Sequence, residues 1–404
     1  MDLRTGCAFW VLKNGLLFTY PRLTHDIVAD VVVIGAGVTG ALVTYELTKA
    51  GANVVVLDRR DVASGSTAAS TGLLQYETDT SLEELAERFG IESAVRVYRL
   101  GIEAIDRIAQ ICDEVGDSCG FARRSTLYLA ASKRDAQALA REHALRVAHG
   151  FDVDLLPAAE VKARFGLSAH GALFGPGDGE IDSYRFTHFV LTHAARAGAR
   201  VFDRTTVKRV RPHADGVDVL MTTGPRIRAK HVIYTTGYEA VEHTKIPTKL
   251  TSTFACATEP VDSFAWWEGR CLIWETSRPY LYLRTTADNR VMAGGEDSPF
   301  SSRHERSRVL EAKRDRLMTR LRRMVPQLNP EPAYVWGGVF AETRDGLPFI
   351  GRRTDEERAS YALGYGANGI TSAMLAATLL RDAYLGRPNA DAALFSFDRT
   401  RRRE

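Results

Sequence analysis

Gly35-Ala36-Gly37-Val38-Thr39-Gly40 has the spacing G-x-G-x-x-G, and Asp58 closes the next apolar run of the chain. These residue types suit one task. The first glycine permits a tight turn, the second lets a pyrophosphate approach the backbone, and the third lets a helix pack closely on a strand. Unpaired N–H groups and the positive dipole end at the helix start receive phosphate charge. A carboxylate ending the second strand accepts hydrogen bonds from a ribose diol. Alone, the six residues are a glycine-rich loop of a kind any soluble protein contains. Strand, glycines, helix, second strand and acid in that order make them a dinucleotide site, without choosing between NAD and FAD.

Two further stretches carry donors. After Arg59-Arg60, the run Ser64-Gly65-Ser66-Thr67-Ala68-Ala69-Ser70-Thr71-Gly72 leads into Leu73-Leu74. A small, hydroxyl-rich loop lets the backbone come close to a ligand and offers hydroxyl and N–H donors. The plainer alternative is a flexible linker, but its place straight after the dinucleotide unit favours ligand contact. Near the end, Gly364-Tyr365-Gly366-Ala367-Asn368-Gly369 opens a helix at Ile370-Thr371. That start aims N–H groups and a positive dipole end at a second acceptor. A flavin needs such a partner, because reduction leaves negative charge near N1 and C2=O. A tight turn before a core helix is the alternative.

The elements that must position these residues follow from periodicity. Val31–Ile34 and Val54–Leu57 read as buried strands flanking a helix that ends near Lys49, with Gly51 as its cap. Residues 81–112 read as helical, Ser125–Ala130 as a strand, Lys133–His149 as an exposed helix and Gly171–Phe174 as a strand before a turn at Gly175-Pro176-Gly177-Asp178-Gly179. Arg185–Ala197 is a helix, 207–229 a β-meander, and His231–Gly237 an apolar strand ending in a glycine turn. Four strands between 251 and 293 and a charged helix over Arg303–Met324 follow. The expected fold is α/β: a Rossmann-like parallel sheet with a β-meander, plus an α+β substrate unit with an antiparallel sheet. The boundaries are an arm over 1–27, a nucleotide-binding unit over 28–110, 179–250 and 335–398, a substrate unit over 111–178 and 251–334, and a basic tail over 399–404.

Bulk properties narrow the classes. The chain has 404 residues, ample for sizeable cores, and a net charge of only +3, which gives no case for nucleic acid. Its five cysteines are scattered, without metal spacing, and read as reduced thiols of a cytoplasmic protein. No stretch has the apolar length of a membrane span, and no signal peptide is evident. Oligomeric state is left open.

Taken together, VVVIGAGVTGALVTYELTKAGANVVVLDRR, GSTAAST, VIYTTGY, WGGVFAETRDGLPFIG and GYGANGIT resemble the D-amino-acid-oxidase-like family of FAD-dependent oxidoreductases, which includes glycine, sarcosine and γ-glutamylputrescine oxidases. The motifs run through nearly the whole chain in the family's order, and they specify the family rather than a substrate; the resemblance implies a Rossmann-like FAD-binding unit of the glutathione-reductase-like type. The resemblance implies that Gly35, Ala36, Gly37, Val38, Thr39, Gly40 and Asp58 hold the ADP half, with Arg59 and Arg60 beside the adenosine. Ser66, Thr67, Ser70, Thr71, Gly72 and Leu73 would line the pyrophosphate and the isoalloxazine edge. Val207 would touch adenine through its backbone, and Thr236 and Gly237 would lie under the nucleotide. Gly364, Gly366, Asn368, Gly369, Ile370 and Thr371 would face the flavin pyrimidine.

The chain departs from the pattern in places. Some relatives attach flavin through a histidine in the GSTAAST region or a cysteine before Asp345; neither is present, so FAD is expected to be non-covalent. The arginine that anchors a substrate carboxylate in glycine oxidase falls at Phe340, with Arg344 nearby, which shifts weight toward an amine of the γ-glutamylputrescine type. No lysine stands near Met292 for oxygen activation. The implied reaction removes a hydride from the carbon bearing a neutral amine to flavin N5; the imine hydrolyses, and dioxygen reoxidises the flavin with release of hydrogen peroxide, or another acceptor does so. Tyr280 and Phe340 are the chosen pocket residues, with Tyr282, Trp274 and Trp336 completing an aromatic wall whose alternative is core packing. Glu77, Glu296 and Glu342 could meet a cationic substrate but read by default as solvated. His188 and His193 read as surface. The rivals are an FAD dehydrogenase, which could be a subunit of a larger complex, and a flavin-binding protein without turnover.

Overall fold

The computed structural model describes residues 2–240 and 248–399. Among these residues the strands form two sheets, of eight and ten strands. The eight-stranded sheet has the order Phe349–Arg352, Ala359–Leu363, Arg226–Tyr234, Ile27–Ile34, Val54–Leu57, Arg200–Phe202, and the meander strands Val207–His213 and Gly216–Met221 attach through Arg226–Tyr234. Its central pairings are parallel: Val32 lies opposite both Val55 and Val232. Val32, Val33 and Val54–Leu57 are wholly buried, as a strand covered on both faces must be. The helix Val38–Lys49 that follows the first glycine turn is buried from Val38 to Leu47. Its one buried acid, Glu46, is paired by Arg107 at 2.8 Å and Arg381 at 2.9 Å, so three helices are tied at one charge.

The ten-stranded sheet is antiparallel except where Leu272–Glu275 runs parallel to Ala122–Leu129. It begins with Arg4–Gly6, paired to Trp336–Gly338. The amino-terminal arm thus supplies an edge strand, followed by the helix Phe9–Asn14 with Phe9 and Trp10 buried.

Several expectations need correction. Gly175–Gly179 is no turn: it lies within the strand Gly171–Glu180, bulged against Arg124–Thr126. The glycines let that strand run against Asp152, whose carbonyl a Cβ at Gly175 would meet at 2.6 Å. Residues 81–112 make two helices, Leu82–Phe89 and Ile91–Glu114, broken at Gly90. The helix Lys133–Ala148 buries Glu142 and Arg146, which form a buried ion pair at 2.7 Å, so its charges are not all solvated. The return placed at 335 falls inside Pro332–Thr343, a strand of the antiparallel sheet; the parallel sheet resumes at Phe349. Arg399 is not part of a frayed tail. It is buried and donates to Asp345 Oδ2 at 2.8 Å and Pro348 O at 2.7 Å. The rest of that tail, 400–404, lies outside the described residues.

Candidate active site

A cavity of about 730 Å³ runs between the two sheets and is lined by both glycine turns. At the first turn the carboxylate of Asp58 accepts the Ala36 N–H on Oδ2 and the Arg60 N–H on Oδ1, both at 2.8 Å. Burial pushes this carboxyl up from its ordinary value, and the two N–H groups oppose the shift. Gly40 sits where helix and turn touch: a Cβ there would lie 1.8 Å from Gly35 O. The helix itself starts at Val38, whose N–H reaches Thr67 Oγ1 at 3.0 Å, drawing the hydroxyl-rich loop to the helix start.

That loop is held from behind. Trp336 Nε1 donates to Ala69 O at 2.8 Å and Trp10 Nε1 to Ser70 O at 2.8 Å. Buried Arg284 donates through Nη1 to Thr71 O at 3.1 Å, Gly72 O at 2.9 Å and Ile181 O at 3.0 Å. Four consecutive carbonyls, 69 to 72, are thereby drawn to donors outside the loop.

The second turn opens the helix Gly369–Tyr384. Its N-cap residue, Asn368, makes no side-chain capping bond; the amide donates instead to Glu77 O. The first-turn N–H groups therefore keep their capacity for an outside acceptor. Thr371 Oγ1 here and Ser66 Oγ in the loop are buried without a hydrogen-bond partner. Two helix starts on one cavity, with orphaned hydroxyls beside them, fit a long ligand that offers phosphates to one and an anionic ring edge to the other.

Of the residues expected to hold that ligand, Gly35, Gly37, Val38, Thr39, Asp58, Arg59 and Arg60 line the cavity. So do Ser66, Thr67, Ser70, Thr71, Leu73, Val207, Thr236 and Gly237. Gly366, Asn368, Gly369 and Ile370 line it too, and so do Tyr280 and Phe340. Ala36, Gly40, Gly72, Gly364 and Thr371 do not line it. Ala36 serves Asp58, and Gly40 packs on Gly35. Gly72 and Gly364 leave no room for side chains against Ile181 O and Thr343. Trp274 and Tyr282 line the cavity as well. Trp274 stacks on Tyr128 with centroids 3.7 Å apart, and Tyr280 and Tyr282 stand 5.7 Å apart.

Other expectations fail. Trp336 is no wall residue, because its indole is turned to the Ala69 carbonyl. Glu77 is buried against Arg146, and Glu296 is buried and paired to Arg320 at 3.1 Å; neither lines the cavity, nor does Glu342. His188 is wholly buried beside Tyr184 rather than on the surface. Burial lowers its pKa to about 4, so it is neutral near pH 7. Sequence reasoning missed Asp79, Tyr238 and Tyr365, all of which line the flavin-facing end.

Behind that end lies Asp297, whose carboxyl burial pushes up to about 6 from 3.8; Asp79 and Glu342 raise it further, against Thr253 and Lys313. The folded state thus holds this proton more tightly than the unfolded chain. The stability it confers is complete below about pH 4 and lost as pH rises through about 6. Asp297→Asn is expected to be more stable than the parent at pH 8 by up to about 3 kcal/mol, the gap closing near pH 4. Urea unfolding at the two pH values checks this.

Comparison with known proteins agrees with the geometry. Glycine oxidase of Geobacillus kaustophilus is 26% identical over 388 residues, covering 92% of this chain and 97% of that protein. The putative Rieske 2Fe-2S iron-sulfur protein YhfW of Bacillus subtilis is 24% identical, covering 96% of this chain and 75% of its own length. The crystal structure of the Geobacillus kaustophilus glycine oxidase superposes with a TM-score of 0.79 at 22% identity, over 92% of this chain and 98% of that one. Since the family model for FAD-dependent oxidoreductases (DAO) matches residues 30–383, the chain belongs to that family, and its cofactor is FAD.

Proposed function

We propose that the protein oxidises the C–N bond of a small amine or amino acid, giving an imine that water hydrolyses, with dioxygen taking the electrons and leaving as hydrogen peroxide. The observation that carries this reading is the continuity of the cavity from two helix starts into an aromatic chamber. FAD bound there supplies the acceptor for the hydride. The chain's own residues do the rest. Gly35, Gly37, Asp58, Ser66 and Thr67 hold the ADP and pyrophosphate portion, and the Gly369–Thr371 helix start faces the flavin ring. Trp274, Tyr280, Tyr282 and Phe340 exclude water and orient the substrate carbon. A neutral amine must be presented for hydride loss, so positioning and desolvation matter more than a strong base. Tyr282 is fixed for this purpose against Gly294, where a Cβ would strike its ring at 2.1 Å.

The test is anaerobic mixing of the purified holoenzyme with a panel of amines and amino acids while the visible flavin band is followed. Bleaching supports the reading, and a band unmoved by every compound overturns it. Peroxide formed on readmitting air separates oxidase from dehydrogenase. The second reading, transfer to another acceptor, is favoured by one fact: a relative covering nearly the whole chain is named for a Rieske 2Fe-2S centre. Acid precipitation is expected to release all of the yellow colour, consistent with non-covalent FAD; colour retained in the pellet would refute it. Among the described residues no helix is long and apolar enough to cross a membrane; a cytoplasmic location is supported by the five free cysteines.

A further inference from the structure

The charges lining the cavity are unevenly placed. Among the described lining residues, the cations Arg59, Arg60, Lys208, Arg209 and Arg353 belong to strands and loops of the nucleotide-binding sheet, together with the acids Asp58, Glu239 and Glu356. At the aromatic end the charged lining residue is Asp79. Its Oδ2 accepts the Ala367 N–H at 3.0 Å. The side chain is open to the cavity, although protein surrounds it closely enough that burial pushes its carboxyl up from the ordinary value. Tyr238 and Tyr280 feel its charge, and so do Asp297 and Glu342 behind the wall. The cation acting on it is Arg278, an exposed residue that lies over the Tyr280 ring, 5.0 Å from its centroid, and does not line the cavity.

Asp79 is also held in place. Tyr76 N–H donates to Asp178 Oδ1 at 2.9 Å, Glu77 is paired to buried Arg146, and Asn368 donates to Glu77 O. Thr80 O accepts from Thr78 Oγ1 at 2.7 Å and from Tyr98 OH at 3.2 Å. A carboxylate fixed by its neighbours loses little freedom when a ligand binds. The walls beside it, Trp274, Tyr280, Tyr282 and Phe340, are aromatic, and an aromatic face attracts a cation once water is removed. An incoming carboxylate would meet a like charge there, with no lining cation among the described residues to offset it.

We propose that Asp79 receives the ammonium nitrogen of the substrate and accepts the proton that must leave it before hydride is lost, and that the substrate class is an alkylammonium compound with no carboxylate beside the reacting carbon. This rests on the amine-oxidation reading above and narrows it. The probes are tert-butylammonium and pivalate, matched in shape and opposite in charge, neither having a hydrogen on the carbon that would react. Titrated into the FAD-loaded protein, tert-butylammonium is expected to perturb the visible flavin band with a dissociation constant at least about tenfold below that of pivalate. Asp79→Asn is expected to weaken it by about tenfold or more with FAD content unchanged, and Asp79→Glu to recover part of the loss. Tighter binding of pivalate, or Asp79→Asn binding the ammonium as the parent does, overturns the proposal. So does loss of FAD from the variant with the ammonium affinity of the remaining holoenzyme intact, which would place Asp79 with the cofactor. The titration needs no turnover. Failure of the amine-oxidation reading is seen separately, as a parent flavin that no amine or amino acid bleaches, whereas bleaching by α-amino acids alone, undiminished in Asp79→Asn, defeats this inference only.

Discussion

Gly40→Ala is expected to purify colourless and to unfold well before the parent. The added methyl would lie 1.8 Å from Gly35 O, 2.9 Å from Gly35 C and 3.0 Å from Thr235 Oγ1. The obstacle is backbone, not the end of a flexible side chain, so the helix Val38–Lys49 must lift from the strand that precedes it. Thr235 Oγ1 donates to Gly35 O at 2.9 Å, so that carbonyl cannot swing away without breaking a bond. Overpacking of this kind costs about 3 kcal/mol or more, and the displaced turn no longer aims its N–H groups at the pyrophosphate. Gly51→Ala is the control. Its φ is +87° but nothing lies within 4 Å, so only backbone strain of about 1 kcal/mol is expected, with full colour retained. The ratio of visible to ultraviolet absorbance, with thermal unfolding, separates the two.

Arg284→Met is expected to cost about 3 kcal/mol and to loosen FAD. The substitution keeps much of the volume but removes the donor to Thr71 O, Gly72 O and Ile181 O, and it strips Glu180 of a partner at 3.4 Å. Breaking a buried charged network is among the costlier single changes. The loss is moderated because Gly72 O still accepts the Ile181 N–H at 2.9 Å, and Glu180 keeps Arg124 at 2.8 Å. Arg284→Lys should fare little better, since one ammonium cannot reproduce the guanidinium's fork. Trp336→Phe loses one hydrogen bond and is expected to cost about 1 kcal/mol. FAD dissociation followed by recovered flavin fluorescence would rank the three; equal retention of FAD by all would show that the loop holds its shape unaided.

The parts of the site that were legible in the sequence are those whose chemistry is local. Gly35 to Gly40 and Asp58 follow from what a turn, a helix start and a strand end each require within one stretch. The same holds for Gly366 to Ile370. Asp79 had no such mark: it is one acid in Gln75-Tyr76-Glu77-Thr78-Asp79, and its place is set by Ala367, 288 residues away. Glu77 and Asp79 look alike in the sequence, yet Arg146 buries one and the cavity receives the other. Ring size, visible in a sequence, suggests Trp336 as a wall aromatic; indole direction, which decides otherwise, is not visible there. Gly175–Gly179 suggests a turn because glycine and proline usually punctuate; here the neighbouring strand carries the glycines through a bulge. His188 has polar nitrogens that suggest solvent, but Phe18 and Tyr184 enclose it.

The four loop carbonyls also constrain when the cofactor can be captured during synthesis. Their donors Trp10, Arg284 and Trp336 stand 60, 212 and 267 residues from the acceptors. A nascent chain that has just released the first glycine turn from the ribosome has one of the three. Stable retention of FAD must therefore wait until most of the polypeptide has emerged, so a translation-arrested fragment ending near residue 260 would already contain the dinucleotide motif yet remain unable to keep the coenzyme.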